Sequence, residues 1–284
     1  MDEFEQHRAH LCSVAYRMLG SLPEAEDAVQ EAWLRMHRAD VGEVANMRAW
    51  LTTVVARICL DALRSRTARR EQPLDESVVS EPAPAAGPVD PEQEAMLADS
   101  VGAALLVILQ RLSPAERLAF VLHDMFDLPF AEIGPIVGRS ENTAAQLAAR
   151  ARRRVRGQTP NRATGLAEQR RLVEAFLAAA RHGDFDSLLA ALDAEVVLRV
   201  DAAAAGSATT IRGAKAVAAN ARAFSANARF AEPALIDGAV GIVVAPEGRL
   251  TLVLSFSVVA GKIAEVDIAA DPERLRELEL AVLD

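Results

Sequence analysis

The sequence is short of the residues that staple a fold or anchor it in a membrane. Its 284 residues include two cysteines, two tryptophans and one tyrosine, and aromatics make up 4%. Cys12 and Cys59 are too few for a disulfide framework and stand in no metal-ligand spacing, so a reduced, cytoplasmic setting is expected. No run approaches the ~18 apolar residues of a membrane span. The opening MDEFEQHRAH lacks the basic-then-apolar order of a secretory signal. Lysine is nearly absent, with Lys215 and Lys262 alone beside many arginines. What is abundant is apolar: 51% hydrophobic and 25% charged, a globular balance at a length that suits about two domains. The net charge of −9, taken whole, argues against a nucleic-acid binder.

That average conceals a pattern. Residues 1–70 are neutral, 71–110 carry −8 with no base, 111–162 carry +4, and 163–284 carry −5. Two arginine clusters stand out. One is Arg48, Arg57, Arg64, Arg66, Arg69 and Arg70, opposed only by Asp61; the other is Arg150, Arg152, Arg153, Arg154 and Arg156. The guanidinium fork suits phosphate and base edges. A codon bias toward arginine would raise its number everywhere without clustering it.

Apolar periodicity predicts helices over 4–19, 23–38 and from Met47 to about 69. In the second helix Ala25, Ala28, Val29, Ala32, Trp33 and Met36 form the expected buried side, opposite Glu24, Asp27, Gln30 and Glu31. Residues 71–94 hold five prolines, many acids and no base, the composition of a linker. Helices are expected again over 91–112 and from Ser113-Pro114-Ala115-Glu116, a strong capping signal, to about Asp124. PFAEIGPIVGRSENTAAQLAARARRRV, residues 129–155, then reads as helix, glycine turn, and a longer helix ending in arginines. This is helix-turn-helix grammar. Phe130, Ile133, Ile136 and Val137 would face the core, with Ala144, Leu147 and Ala148 packing the second helix on the first.

Beyond a loop at about 157–164 the grammar changes. A helix over 165–181 precedes strand-like runs at Val196–Val200, Ala239–Val244, Leu250–Val259 and Ile263–Ile268. Helices are expected over 213–226 and 271–282. The fold class expected is therefore two all-α domains, 1–70 and 95–157, the second with a helix-turn-helix. An α+β domain with a curved, meander-like antiparallel sheet follows over 165–284.

Three segments in order resemble bacterial sigma factors of the extracytoplasmic-function (ECF) group. AEDAVQEAWLR (25–35) resembles the region that docks on RNA polymerase. RAWLTTVVARICLDALRSRTARR (48–70) resembles the region that melts and reads the −10 promoter element. Residues 113–156 resemble the domain that reads the −35 element. Residues 165–284 resemble the SnoaL-like, nuclear-transport-factor-2-like fold carried as an extension by one subclass. That subclass often has Asp-Gly-Gly-Gly-Lys where this chain has Asp201-Ala202-Ala203-Ala204-Ala205. It often has Asn-Pro-Asp-Lys-Leu where this chain has Asp271-Pro272-Glu273-Arg274-Leu275. Its Trp-Leu-Pro-Glu-Pro linker element is not found here.

The resemblance implies binding of core RNA polymerase through Asp27, Gln30 and Glu31; the competing reading is a solvated polar stripe on an amphipathic helix. It implies −10 DNA contact by Arg48, Trp50, Arg57, Arg64, Arg66, Arg69 and Arg70. The competing reading for Trp50 is a core residue, and for Asp61 an intrahelical partner of Arg57 or Arg64. It implies −35 contact by Arg139, Asn142, Thr143, Gln146, Arg150, Arg153 and Arg154, of which the early ones reach base edges and the later ones phosphates. Asp201, Asp271, Pro272, Arg274 and Leu275 would form a regulatory interface between the C-terminal domain and the sigma domains, with a small ligand as an optional modulator. No cofactor or metal is expected: His7 and His10, three apart, do not complete a metal site. A pocket enzyme would need a carboxylate base. Among His182, Asp184, Asp201, Asp237 and Asp267, Asp184 reads as a helix cap and Asp237 as a turn residue, so catalysis is not expected. The alternatives are a DNA-binding module fused to a SnoaL-like enzyme and a simple helix-turn-helix repressor.

Overall fold

The computed structural model describes residues 3–39, 44, 46–71, 102–157, 163–223 and 228–283. The expected linker at 71–94 lies, Glu71 apart, outside the described residues. The chain forms two compact units: Met1–Val101 with Leu109–Arg152, and Gly102–Ile108 with Arg153–Asp284.

The first unit is helical. It contains α1 (Glu3–Leu19), α2 (Leu22–Arg38) and α3 (Met47–Glu71). These match the three helices expected from periodicity, and Gly20 in a left-handed conformation ends the first. Their core is Leu11, Val14, Ala15, Met18, Ala25, Val29, Ala32, Leu51, Val55 and Leu60. Of the second helix's expected buried stripe, Ala25, Ala28, Val29, Ala32 and Met36 are buried and Trp33 is not. The helix α4 (Ala103–Gln110) runs from the second unit into the first. Then α5 (Pro114–Phe120) starts on the expected capping box, in which Ser113 accepts from Glu116 N and Glu116 reaches back to Ser113 N. Such a cap stabilises by about 1 kcal/mol. A wide π-helical turn, Val121–Met125, follows.

The helix-turn-helix is α6 (Phe130–Val137) and α7 (Glu141–Arg156). Two glycines make its turn. Gly138 closes α6 at φ +74°, where a side chain would be strained. At Gly134 an added Cβ would sit 2.9 Å from the Arg139 carbonyl oxygen, so only hydrogen lets the chain fold back this tightly. Ile133, Ile136, Val137, Ala144, Leu147 and Ala148 are buried as expected, whereas Phe130 is half-exposed and stacks on His123 at 3.8 Å.

The second unit is α+β. Its helices are α8 (Ala163–His182), α9 (Phe185–Ala191), α10 (Ala202–Ala205), α11 (Ala214–Ala223) and α12 (Pro272–Glu277). Its strands are β1 (Leu192–Val200), β2 (Thr209–Arg212), β3 (Ala231–Ile236), β4 (Ala239–Val244), β5 (Leu252–Val259), β6 (Lys262–Ala269) and β7 (Leu280–Ala281). The sheet order is β2-β1-β6-β5-β4-β3-β7. Five of the six described pairings are antiparallel, as expected; β1 and β6 run parallel, β6 reaching β1 as the last strand of the antiparallel run β3–β4–β5–β6. The helix expected over 271–282 stops at Glu277, and Leu280–Ala281 instead pair with β3. Val173, Phe176, Leu177, Leu188, Val196, Leu198, Val217, Ile242, Leu254, Phe256 and Val266 fill the layer between helices and sheet.

Candidate polymerase and promoter interfaces

On α2, Asp27 and Gln30 are exposed and Glu31 is half-exposed, held by Arg35 at 2.9 Å one turn on. Trp33 and His37 continue the Gln30 side of this helix toward the C-terminus, and the indole packs on the imidazole with centroids 4.1 Å apart. Periodicity placed Trp33 inside; the structure adds it to the exposed face.

The α3 arginines do not form one uniform surface. Arg57 is exposed. Arg64 lies 4.0 Å from Asp61, at the three-residue spacing expected, and its Nη2 donates to the Val137 carbonyl at the C-terminal end of α6, 3.2 Å away. Arg66 pairs with Glu24. Arg69 donates to Ser65 O of its own helix. The Arg70 side chain lies outside the described residues. Trp50 is half-buried.

Arg48 belongs to a small network. Its Nη2 donates to His10 Nδ1 at 3.1 Å, and His10 Nε2 lies 3.0 Å from Thr52 Oγ1. That hydroxyl donates in turn to the Arg48 carbonyl, so His10 carries its proton on Nε2 and is neutral. Burial, then the Arg48 and His7 charges, lower the His10 pKa to about 4. The Phe126 ring meets His10 edge-on at 5.2 Å and receives the Arg17 guanidinium at 5.3 Å. His10, Arg48, Thr52 and Phe126 line a cleft of about 210 Å³ together with Asn46, Asp127 and Glu132.

On α7, the side chains of Asn142, Gln146 and Arg153 are exposed at helical spacing on one face, with the half-buried Ala145 and Ala149 between them. Arg139 in the turn and Arg154 are also exposed. Thr143 is occupied otherwise: its N–H and hydroxyl both bond Ser140 Oγ, the cap of the helix. Arg150 is tied to Glu116 at 3.3 Å, and Arg152 to Asp124. Sequence reasoning missed the two alanines, whose small size lets a helix approach a groove closely, and it missed Glu116 as the group that steers Arg150. The capping-box spacing was the available signal for Glu116.

Arg117 is the least expected group. It is 5% exposed, and its Nη1 donates to Met18 O at the C-terminal end of α1, 2.8 Å away. Its Nε has no partner among the described residues. Burial, then the nearby Arg66, bring its pKa down to about 10, still well charged.

In the second unit the two motif segments meet. Asp201 Oδ2 accepts from Ala270 N at 2.7 Å and Asp271 N at 3.0 Å, while Oδ1 caps α10 at Ala204 N. Asp271 Oδ1 caps α12 at Glu273 N and Arg274 N, Pro272 fills its first position, and Leu275 is buried. Partial burial raises the Asp201 pKa, but the three backbone N–H groups and the Arg274 charge outweigh it, and the net direction is down. The other carboxylates weighed for chemistry serve structure. Asp184 caps α9, Asp237 holds Glu279 N in the β3–β4 turn, and Asp267 shares Arg199 with Glu265 on the exposed sheet face. Two further contacts within this unit come from the starts and ends of helices described above. Glu232 on β3 accepts from Ala104 N at the start of α4, 3.0 Å, and Val282 N donates to Val155 O in the last turn of α7.

Among the described residues no helix is long and apolar enough to cross a membrane, and no group of three or more His, Cys, Asp or Glu could hold a metal ion. The Cys59 thiol is buried, which pushes its pKa up to about 12 and leaves it inert.

Residues 4–69 match the family described as Sigma-70 region 2, and residues 102–155 match Sigma-70, region 4. A probable ECF RNA polymerase sigma factor, SigI of Mycobacterium tuberculosis, is 37% identical over 278 residues, 96% of this chain and 93% of the relative. The ECF RNA polymerase sigma factor SigJ of the same species is 43% identical over 207 residues, 71% of this chain and 64% of the relative. The crystal structure of SigJ aligns with 96% of this chain and 97% of that one at 31% identity, with a TM-score of 0.45. With both sigma-70 regions in order and a curated relative matched along nearly its whole length, the chain belongs to the ECF group of RNA polymerase sigma factors.

Proposed function

We propose that the first unit carries both recognition surfaces of this sigma factor and that the second unit modulates them. The α2 face with Asp27 and Gln30 docks on core RNA polymerase. The exposed α3 arginines meet DNA phosphates near −10, and α7 enters the major groove at −35. The observation that carries this reading is the α7 face. Asn142 and Gln146 stand exposed one turn apart, directly after the glycine turn, with Arg153 two turns further on. Amide side chains suit the paired donor and acceptor of adenine, and the arginine suits phosphate.

Thr143, committed to its cap, and Arg150, committed to Glu116, shape the reading head rather than read bases. Arg48 and Arg64 bond a neutral imidazole and a carbonyl in this state. Phosphate is the stronger acceptor, so DNA draws these arginines away from their present partners. Modulation by the C-terminal domain is supported by the Glu232–Ala104 and Val282–Val155 hydrogen bonds, which tie both ends of the region 4 segment to the sheet. The carboxylates of that domain are spent on caps, turns and a surface ion pair, which favours a regulatory role over a catalytic one.

Transcription by purified core polymerase supplied with the full chain tests the reading. Gln146→Ala lowers product from a cognate promoter about tenfold, the value of one lost bidentate base contact. Glu232→Ala alters output or promoter choice without touching a DNA-binding residue. Unchanged output from Glu232→Ala contradicts the regulatory part, and no chain-dependent transcript from any promoter contradicts the whole.

A further inference from the structure

Trp33 is 36% exposed and, with Val259, one of two large apolar side chains exposed among the described residues. Its position is not that of a frayed or crowded residue. It sits in the fourth turn of a regular 17-residue helix, beside the stripe of Leu22, Ala25, Ala28, Val29, Ala32 and Met36 that is buried. The ring is held in place: it lies on the His37 imidazole, centroids 4.1 Å apart and planes tilted by 45°, and His37 Nδ1 donates to the Trp33 carbonyl at 2.9 Å. Exposed Gln30 and Glu26 lie about one and two turns before it on the same side of the helix, and Asp27 stands further round the exposed face. A rigid aromatic body inside a polar surround is the composition of a binding hot spot. A solvated amphipathic face does not need an indole there, and a sequence rule that fails locally often marks a functional site.

We propose that Trp33, backed by His37, is the apolar anchor of α2 on core RNA polymerase, entering an apolar recess whose edge is basic enough to receive Asp27. The assignment rests on the reading of α2 as the polymerase-docking helix and follows from its continuity with Asp27 and Gln30 on the same surface. The polar residues then set register and encounter rate, while Trp33 sets residence time.

The experiment measures the affinity of the full chain for purified core polymerase, using wild type, Trp33→Ala, Trp33→Phe and Asp27→Asn. Binding of each to −35 duplex DNA without polymerase is the control for folding. Trp33→Ala is expected to weaken core binding about thirtyfold, the usual hot-spot loss, with duplex binding unchanged. Trp33→Phe retains the fold and most of the apolar contact, and is expected to lose only about three- to fivefold on the same scale. Raising salt from about 0.1 M to about 0.5 M shrinks the Asp27→Asn effect and leaves the Trp33→Ala effect in place, because screening acts on charge. Trp33→Ala binding within about twofold of wild type, well inside the usual hot-spot loss, overturns the proposal while leaving the docking helix standing. A salt dependence equal to that of Asp27→Asn overturns it as well. A wild-type chain that binds duplex but not core overturns both the proposal and the reading beneath it.

Discussion

The two units bury different things. The buried polar side chains among the described residues are Thr52, Glu116 and Arg117, all in the helical unit. The α+β unit fills its interior with alanine, valine, leucine, isoleucine and phenylalanine, and keeps its charges at caps and on the sheet surface. A buried guanidinium bonded to a helix C-terminus is satisfied only while both helices stay in place, so it makes packing conditional. An apolar core is indifferent to such partners and is simply stable. On the proposed reading, the helical unit is the one that exchanges partners, carbonyl for phosphate and solvent for polymerase. The α+β unit has no such buried charge among the described residues.

Removing the buried charge strikes this contrast hardest. Arg117→Ala leaves a cavity and an unbonded Met18 carbonyl, and is expected to cost the helical unit about 2–4 kcal/mol in urea unfolding. The transition of the α+β unit should not move. Arg117→Met refills the space without a charge to desolvate and should recover most of the loss. Equal destabilisation of both units would break the contrast.

The next effect is the mirror experiment. Asp201→Ala deprives three backbone N–H groups of their acceptor and is expected to cost the α+β unit about 1–3 kcal/mol. The helical unit should unfold as before. If Asp201→Ala leaves the thermal transition in place, the meeting of the two motif segments is incidental.

A smaller change has the opposite sign. Ala260 holds φ +49° in the β5–β6 turn, before Gly261 at +74°. A side chain there is strained, so Ala260→Gly is expected to gain up to about 1 kcal/mol, read as a modest rise in Tm.

The smallest effect is pH-dependent and belongs to the helical unit alone. His10 has a folded pKa of about 4 against an ordinary value near 6.5, because burial and Arg48 oppose its charge. Between those values the unfolded chain binds a proton that the folded chain refuses, so stability falls as pH drops from about 6.5 to about 4. Because His10 is partly solvated the loss is modest. His10→Gln should flatten this part of the pH profile relative to wild type; a superimposable profile would remove His10 from the account.

Most of the helical architecture was legible in the sequence, since apolar periodicity and capping residues act locally. The three N-terminal helices, the Ser113 capping box and the glycine turn before α7 all stand where those signals put them, and β4 coincides with its expected run. The sheet edges were less legible. Thr209–Arg212 is short and exposed, Ala231–Ile236 contains Pro233 near an edge with little strand cover, and Leu280–Ala281 is helical in pattern but pairs with β3. In each case the deciding partner lies far along the chain. The same limit applies to the sites. Composition and turn chemistry pointed to exposed Asn142, Gln146 and Arg153. Local pattern does not reveal that Arg64 reaches Val137, 73 residues away, or that Trp33 faces outward. Those depend on which helix packs against which.

Co-elution of the purified full chain with purified core RNA polymerase tests the central claim most directly. The account predicts a stoichiometric complex that resists moderate salt and initiates at a promoter bearing both elements. A chain that binds promoter duplex but elutes apart from the polymerase would contradict it, and would make the helix-turn-helix that of a repressor.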